Sequence, residues 1–333
     1  MMSIILISII MNVLIFLKND KIASLLKLYD KPDNIRKIHG LNVPLTGGLI
    51  ILLNIILVII FLLINNSYLE KIEIFNNKQD LIIFLSSILI FFLIGFFDDK
   101  YEISAYKKFL AMIVFLIPII ILSEDLVLNQ IRLSFIDTKY IVPLFISIFW
   151  TVLCFLLFIN AMNMFDGINY QVGLFSIYLC IFFLINSYFT ILFTLIIIAL
   201  LNFLLLNHKN KSFLGDNGSV LLAFLFGYFF IKIYNQETDI YSDYIFLIMF
   251  VPGIDLMRLF ITRILKGSHP FTADRNHLHH ILLRKNNLIT VNLIVQSLII
   301  IPSLGGYYFG YTYLFLSFQF LVYFLLILSF RKV

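Results

Sequence analysis

Apolar residues run in long blocks along the chain, interrupted at intervals by short polar stretches. Read as helices, the blocks predict eleven spans, at about 1–17, 47–64, 81–97, 107–123, 141–159, 172–186, 188–206, 219–234, 244–264, 290–305 and 311–330. Each is close to the length at which an α-helix crosses the hydrocarbon layer. The blocks do not alternate with period two, which argues against a membrane β-barrel. No internal repeat, low-complexity tract or soluble linker divides them. The expected fold class is therefore an all-α polytopic membrane protein, a bundle of about eleven transmembrane helices forming one integral-membrane domain over residues 1–333.

Composition agrees. The 333 residues are 61% hydrophobic and only 13% charged, whereas soluble domains carry about a quarter charged residues. The first block lacks a basic leader and a small-residue cleavage site, and its positive charges, Lys18, Lys21 and Lys27, follow it. That is the pattern of a first transmembrane helix with its N-terminus outside. Every second loop then faces the cytoplasm, and those loops and adjoining span ends hold all but five of the 24 lysines and arginines. The exceptions are Lys71, Lys78, Arg132, Lys139 and Lys232. The net charge of +5 is mostly this inner-face bias, so no nucleic-acid partner is called for. Cys154 and Cys180 lie inside apolar blocks and read as small buried hydrophobes, not as a disulfide framework.

With this topology the polar chemistry falls on one side. All six histidines lie in the cytoplasmic loops, as do Asp98, Asp99, Asp166 and Asp216 at helix ends. Acids at a membrane edge are costly unless paired, metal-bound or wet. The loop over 29–50 is basic, with Arg36, Lys37 and His39, which equally suits a contact with anionic lipid. Asp98 and Asp99 are adjacent carboxylates, suited to a hard cation or to accepting a proton, and Lys107 and Lys108 can balance their charge. Asn160, Asn163 and Asp166 fall on one face if the fifth span stays helical there, and their oxygens suit a hard cation. Asn207 and "SFLGDNGS" lead into the eighth span, whose first N–H groups favour an anion. Asp216 could instead be only a cap.

"DRNHLHH", with Arg275, His277, His279 and His280, contains no zinc-ligand spacing. Arg263, Lys266, Arg284 and Lys285 surround it, so a phosphate or diphosphate contact is favoured over a metal site. A solvated loop stays open. Carboxylates for a divalent cation, cations and histidines for phosphates, and access from the lipid are what phosphoryl transfer from a soluble nucleotide to a lipid phosphate requires.

Five stretches also match a known pattern in order: "DKPDNIRKIHGLNVPLTGG", "FFDDKYEIS", "NAMNMFDGIN", "FLGDNGS" and "HPFTADRNHLHH". Spanning residues 29 to about 285, the chain resembles the polyprenyl-phosphate N-acetylhexosamine-1-phosphate transferases of the WecA/TagO branch and, more distantly, the MraY enzymes. The resemblance implies a helical bundle with a cytoplasmic active-site cleft in a bacterial inner membrane, with a homodimer as a conceivable assembly. It implies a reaction: undecaprenyl phosphate attacks the β-phosphate of a UDP-N-acetyl sugar such as UDP-GlcNAc, UMP leaves, and Mg²⁺ or Mn²⁺ is required. Such a step initiates a surface polysaccharide. Carried over by motif, Asn163 and Asp216 hold the metal, and Asp98 or Asp99 orients or deprotonates the lipid phosphate. Phe213 stacks on uracil, while Arg275, His277, His279 and His280 hold the diphosphate–sugar end. Asp166, Asn169, Asn207, Lys107 and Lys108 are further substrate contacts.

One stretch departs from the family. Where it usually reads "DGIDGL", this chain has "DGINYQVG", so Asn169 replaces an aspartate and Tyr170-Gln171 replaces Gly-Leu. Nucleotide contacts or sugar choice are affected there. The alternatives are a phospho-N-acetylmuramoyl-pentapeptide transferase, which carries a different histidine motif, and a transporter, which needs charges at mid-membrane. Asp255 and Arg258, at i and i+3 in the ninth span, fit a structural pair or a contact with the cleft equally well.

Overall fold

The computed structural model describes residues 2–30, 42–65, 75, 77–236, 240–270, 272 and 274–331. Arg36, Lys37 and His39 of the basic loop lie outside the described residues. In chain order the elements are α1 (Met2–Leu26), β1 (Tyr29–Asp30), β2 (Val43–Pro44), α2 (Gly47–Ile64), α3 (Lys78–Tyr101), α4 (Ala105–Leu122), a 3-10 turn (Glu124–Leu126), β3 (Gln130–Leu133) and β4 (Ile136–Ile141). There follow α5 (Leu144–Phe165), α6 (Gln171–Ile185), α7 (Thr190–His208), α8 (Gly215–Asn235), α9 (Ser242–Leu265), α10 (Leu278–Leu283), α11 (Leu288–Phe309) and α12 (Thr312–Arg331). The protein is a helical, polytopic membrane protein. Among the described residues, ten helices are long and apolar enough to span a bilayer.

The sixth apolar block is the exception. It forms α6, which has only 15 residues, about 22 Å of helix against a hydrocarbon layer of about 30 Å. The chain leaves this helix through Ser187 (φ 59°) and Phe189 (φ 44°), both in the left-handed region. Two helices start on a capping asparagine. The side chain of Asn77 accepts the Asp80 N–H at 2.9 Å to start α3, and Asn287 accepts that of Thr290 at 2.8 Å to start α11.

The chain divides into two compact units, residues 1–124 with 172–226 and residues 125–171 with 227–333. In the first, buried polar side chains join three helices. Ser8 of α1 donates to Asn54 of α2 at 2.6 Å, Asn12 donates to the same oxygen at 3.1 Å, and Asn202 of α7 donates to the Asn12 carbonyl at 3.0 Å. Side-chain amides of this kind hold membrane helices together where hydrophobicity alone gives no preference. The Phe91 ring of α3 stacks on Phe224 of α8, centroids 4.2 Å apart.

In the second unit, β3 and β4 form an antiparallel hairpin pairing Gln130 with Ile141 and Leu133 with Ile136. Buried Arg132 anchors it, donating to the carbonyls of Tyr234 and Ile240 with its guanidinium 4.5 Å from the Tyr234 ring. The Ser134 N–H donates to Asp243 at 2.9 Å. The most apolar stretch of α8 is wholly buried, as expected of a helix that is hydrophobic all round.

Candidate active site

In the first unit, the polar chemistry gathers where α3 ends, α4 begins and α8 begins. Successive residues on a helix point about 100° apart, so Asp98 and Asp99, although adjacent, serve different partners. Asp98 accepts from the Lys108 ammonium at 2.6 Å. Lys108 also lies 3.3 Å from an oxygen of Asp216, so a single cation bridges two carboxylates. Lys107, one step away, is exposed.

Asp99 faces the start of α8. One of its oxygens accepts the Asp216 N–H at 2.8 Å; the other accepts the Asn217 N–H at 2.9 Å and the Asn217 side-chain amide. The anion at this helix start is thus a side chain from α3, where charge and orphan N–H groups match. Two glycines permit it. Gly215 turns into the helix at φ 72°, and at Gly95 a Cβ would stand 2.2 Å from the Asp216 carbonyl. Asn217 also donates to the Leu45 carbonyl at 3.1 Å, while the Phe213 N–H donates to the Pro44 carbonyl at 2.9 Å. The "VPLTGG" and "FLGDNGS" stretches are thereby held together. Asn207 donates to the Ser212 carbonyl at 3.0 Å within its own turn.

The Asp216 carboxylate keeps 30% of its side chain exposed. Among the described residues no three or more His, Cys, Asp or Glu side chains are arranged as a metal cage. That donor set fits Mg²⁺ or Mn²⁺ arriving with phosphate oxygens and water, since Mg²⁺ is usually bound through one or two carboxylates plus substrate phosphates.

The second unit carries the other motifs. Asn163 lies in the last turn of α5, and helix geometry stops at Phe165. Asp166 is the C-cap, its N–H donating to the Asn163 carbonyl at 3.2 Å. Beyond Asn169 comes Tyr170 at φ 72°, a left-handed conformation in a position where the resembled family has glycine. Holding a non-glycine residue there costs about 1–3 kcal/mol.

The histidines are organised by a carboxylate within α9. Asp255 is buried and accepts from His277 Nδ1 at 2.8 Å, Arg258 at 2.7 Å, the Tyr323 hydroxyl at 2.6 Å and the Leu278 N–H at 3.2 Å. Arg258 also donates to the Tyr323 oxygen at 2.7 Å and to the Asn276 carbonyl at 2.6 Å. The segment leading to α10 is thus tied to α9 and α12. The i, i+3 spacing of Asp255 and Arg258 pointed to their pairing. Tyr323, 68 residues beyond Asp255, carried no such signal.

The His277 and His279 rings lie parallel with centroids 5.3 Å apart, and His280 lies 4.3 Å from His279. Burial, together with the neighbouring His280 and His277 rings, holds His279 well below the usual histidine range. Burial, His277 and Arg275 push His280 down to about 4. At neutral pH these two imidazoles are uncharged, so they act as directional hydrogen-bonding groups, and Arg275 supplies charge. Burial raises the Asp274 carboxyl, but its bonds from Arg263 at 2.9 Å and from the Asn276 N–H outweigh that and hold it below its usual value.

Comparison with known proteins agrees with the resemblance. Residues 81–234 match the model of glycosyl transferase family 4. The undecaprenyl-phosphate alpha-N-acetylglucosaminyl 1-phosphate transferase of Salmonella typhi is 26% identical over 285 residues, covering 82% of this chain and 73% of that protein. The protein of the same description from Yersinia pestis is 28% identical over 291 residues, covering 79% and 72%. A probable undecaprenyl-phosphate N-acetylglucosaminyl 1-phosphate transferase of Bacillus subtilis (strain 168) is 28% identical over 278 residues, with the same coverage.

Proposed function

On the footing that residues 81–234 carry the pattern of glycosyl transferase family 4, we propose that the protein transfers a sugar 1-phosphate from a UDP-N-acetylhexosamine, UDP-GlcNAc first among them, to undecaprenyl phosphate. The observation that carries this reading is the agreement between those relatives and a cluster of Asp98, Asp99, Lys108 and Asp216 at membrane-helix ends. A phosphate oxygen of the acceptor forms a bond to the sugar-bearing phosphorus of the donor. The phosphoanhydride bond to the nucleotide breaks, and UMP leaves.

A Mg²⁺ or Mn²⁺ ion would neutralise the diphosphate and polarise the phosphorus under attack. Asp216 is the accessible carboxylate for that ion. Lys108, held by Asp98, offers its ammonium to phosphate oxygens. A phosphate monoester has its second pKa at about 6, so the acceptor is already mostly ionised at neutral pH and Asp98 can serve by positioning alone. Asp99 shapes the start of α8 and so aims Asp216. In the second unit, Arg275 and the neutral imidazoles contribute charge and hydrogen bonds to the sugar–diphosphate. The bias of lysine and arginine along the sequence supports a cytoplasmic face for this chemistry, and the bacterial relatives support an inner-membrane setting.

The test is a panel of UDP-sugars presented to purified protein with undecaprenyl phosphate. UMP release with a UDP-N-acetylhexosamine, abolished by a chelator and restored by Mg²⁺ or Mn²⁺, is the expected result. Undiminished release in the chelator would remove the metal from the reading, and silence with every sugar would remove the reaction.

A further inference from the structure

The stretch that departs from the resembled family is built into the histidine site. Gln171, at the start of α6, is 1% exposed, and His279 is 2% exposed. The Gln171 side-chain amide lies 3.4 Å from His279 Nδ1. Two amides of α11 fix the backbone that carries it: Asn292 donates to the Asn169 carbonyl at 3.1 Å, and Gln296 donates to the Gln171 carbonyl at 2.8 Å. The opposite nitrogen of the ring, Nε2, has no protein hydrogen-bond partner. It faces Gly167, where a Cβ would stand only 2.0 Å away.

We infer that Gln171 is a positioning residue: its amide N–H donates to His279 Nδ1 and so fixes the imidazole proton on Nε2, which presents a donor at the edge of Gly167 to an oxygen of the bound sugar nucleotide.

Two considerations select this arrangement. The first is the charge state of the ring. His277 stacks on it, His280 meets it edge-on, and the Asp255 carboxylate is committed to His277, Arg258, Tyr323 and Leu278. Burial with two imidazole neighbours keeps it neutral, so one nitrogen donates and the other accepts.

The second is the amide itself. As placed, the Gln171 carbonyl oxygen is the group without a protein partner. Turned over, the amide would instead leave two N–H donors buried and unmet, and orphaned N–H groups are rarer than under-satisfied carbonyls. The tautomer of a catalytic-site histidine is set in this way by the bond its other nitrogen makes. Leucine, the residue of the resembled family at this position, could not make that bond.

The inference rests on the transferase reading for the identity of the oxygen, but not for the tautomer. The decisive measurement is solid-state NMR of protein carrying ¹⁵N-histidine in bilayers, with the His279 signals assigned by difference from His279→Gln. The wild type should show a protonated Nε2 and a bare Nδ1. In Gln171→Glu the carboxylate accepts instead, and the proton should move to Nδ1. In Gln171→Leu, which keeps the bulk but no polar group, the preference should be lost. UMP release should fall about tenfold or more in kcat in both variants, while the unfolding temperature of Gln171→Leu stays near wild type. A merely structural glutamine would lower the unfolding temperature and leave the tautomer alone.

A proton on Nδ1 in the wild type, or an unchanged tautomer in Gln171→Glu, overturns the inference. If Gln171→Glu does not fold, Gln171→Leu decides it. The expected tautomers without UMP release from any UDP-sugar would sink the transferase reading and the substrate contact, while leaving the Gln171–His279 bond established.

Discussion

Replacing Asp99 by alanine separates the two adjacent aspartates by stability as well as by turnover. Asp99 accepts three N–H bonds from the first residues of α8, each to a charged acceptor and worth about 1.5–3 kcal/mol on its own. These bonds are not additive, and Asp216 is accessible enough for water to replace part of what is lost. The net cost is about 3–5 kcal/mol, including the favourable position of a negative charge at a helix N-terminus.

At about 2 °C per kcal/mol, the low end for a chain of this size, the unfolding temperature should drop by about 6–10 °C. The protein contains its own reporters: Cys180 is fully buried and Cys154 half-buried, so a thiol-reactive fluorogenic maleimide reads unfolding in detergent. Variants are compared at one scan rate, because irreversible unfolding makes the apparent temperature depend on it. Asp98→Ala removes one bond to a lysine that keeps Asp216 as a neighbour, and should shift the temperature by less than half as much while lowering UMP release. Asp99→Ala unfolding within about 2 °C of wild type, or Asp98→Ala proving the less stable of the two, would refute the assignment of Asp99 to the helix cap.

Asp216→Ala should abolish UMP release with little loss of stability, because its N–H, not its carboxylate, holds the α3–α8 junction; near-normal turnover would remove it from the metal site. Tyr323→Phe leaves Asp255 and Arg258 each short of one bond, at a cost of about 1–3 kcal/mol. It should raise the KM for the UDP-sugar as the loop before α10 loosens, and an unchanged KM and unfolding temperature would contradict that. His279 and His280 have folded-state values below the unfolded value of about 6.5, so the unfolded chain takes up their protons first. Their stability contribution is complete above about pH 6.5 and declines as pH falls from there toward 4. Unfolding temperatures at pH 7, 6 and 5 should descend more steeply in wild type than in His279→Gln, and identical profiles would show that the His279 imidazole is not held neutral. His279→Ala should reduce kcat without changing bound metal content, and loss of a stoichiometric zinc would restore a metal role to the histidines.

The spans were legible because crossing a bilayer is a matter of length and oil, and ten of the eleven blocks form helices long enough to cross. The sixth falls short because Tyr170 and Ser187 turn the backbone at both ends of it, a conformation that composition does not encode. The hairpin over 130–141 leaves only a faint trace in the sequence, Ile131, Leu133 and Phe135 alternating with polar residues as strand positions do in a run too short to stand out between apolar blocks. At the site, the residue types were read from local motifs, whereas their partners lie far along the chain. Asp99 caps a helix starting more than a hundred residues later; Gln171 reaches His279 across 108 residues. The 100° step between Asp98 and Asp99 could have been read from the helix alone. Their separate partners could not.

The asparagine cluster of the first unit sets an order on biosynthesis. Asn12 enters the bilayer with α1, and its partner Asn202 lies 190 residues later in the chain. At bacterial translation speeds of about 5–20 residues per second, α1 waits roughly 10–40 s for α7. Through that interval Ser8, Asn12 and Asn54 can satisfy one another, since α2 follows only about 42 residues behind. A ribosome that stalls before α7 thus releases a two-helix hairpin already held by its own amides, because the Asn12 backbone carbonyl accepts the helical N–H four residues on and Asn202 is only a second donor to it. The late helix therefore docks against amides that are already satisfied, and the early hairpin carries no polar debt while it waits.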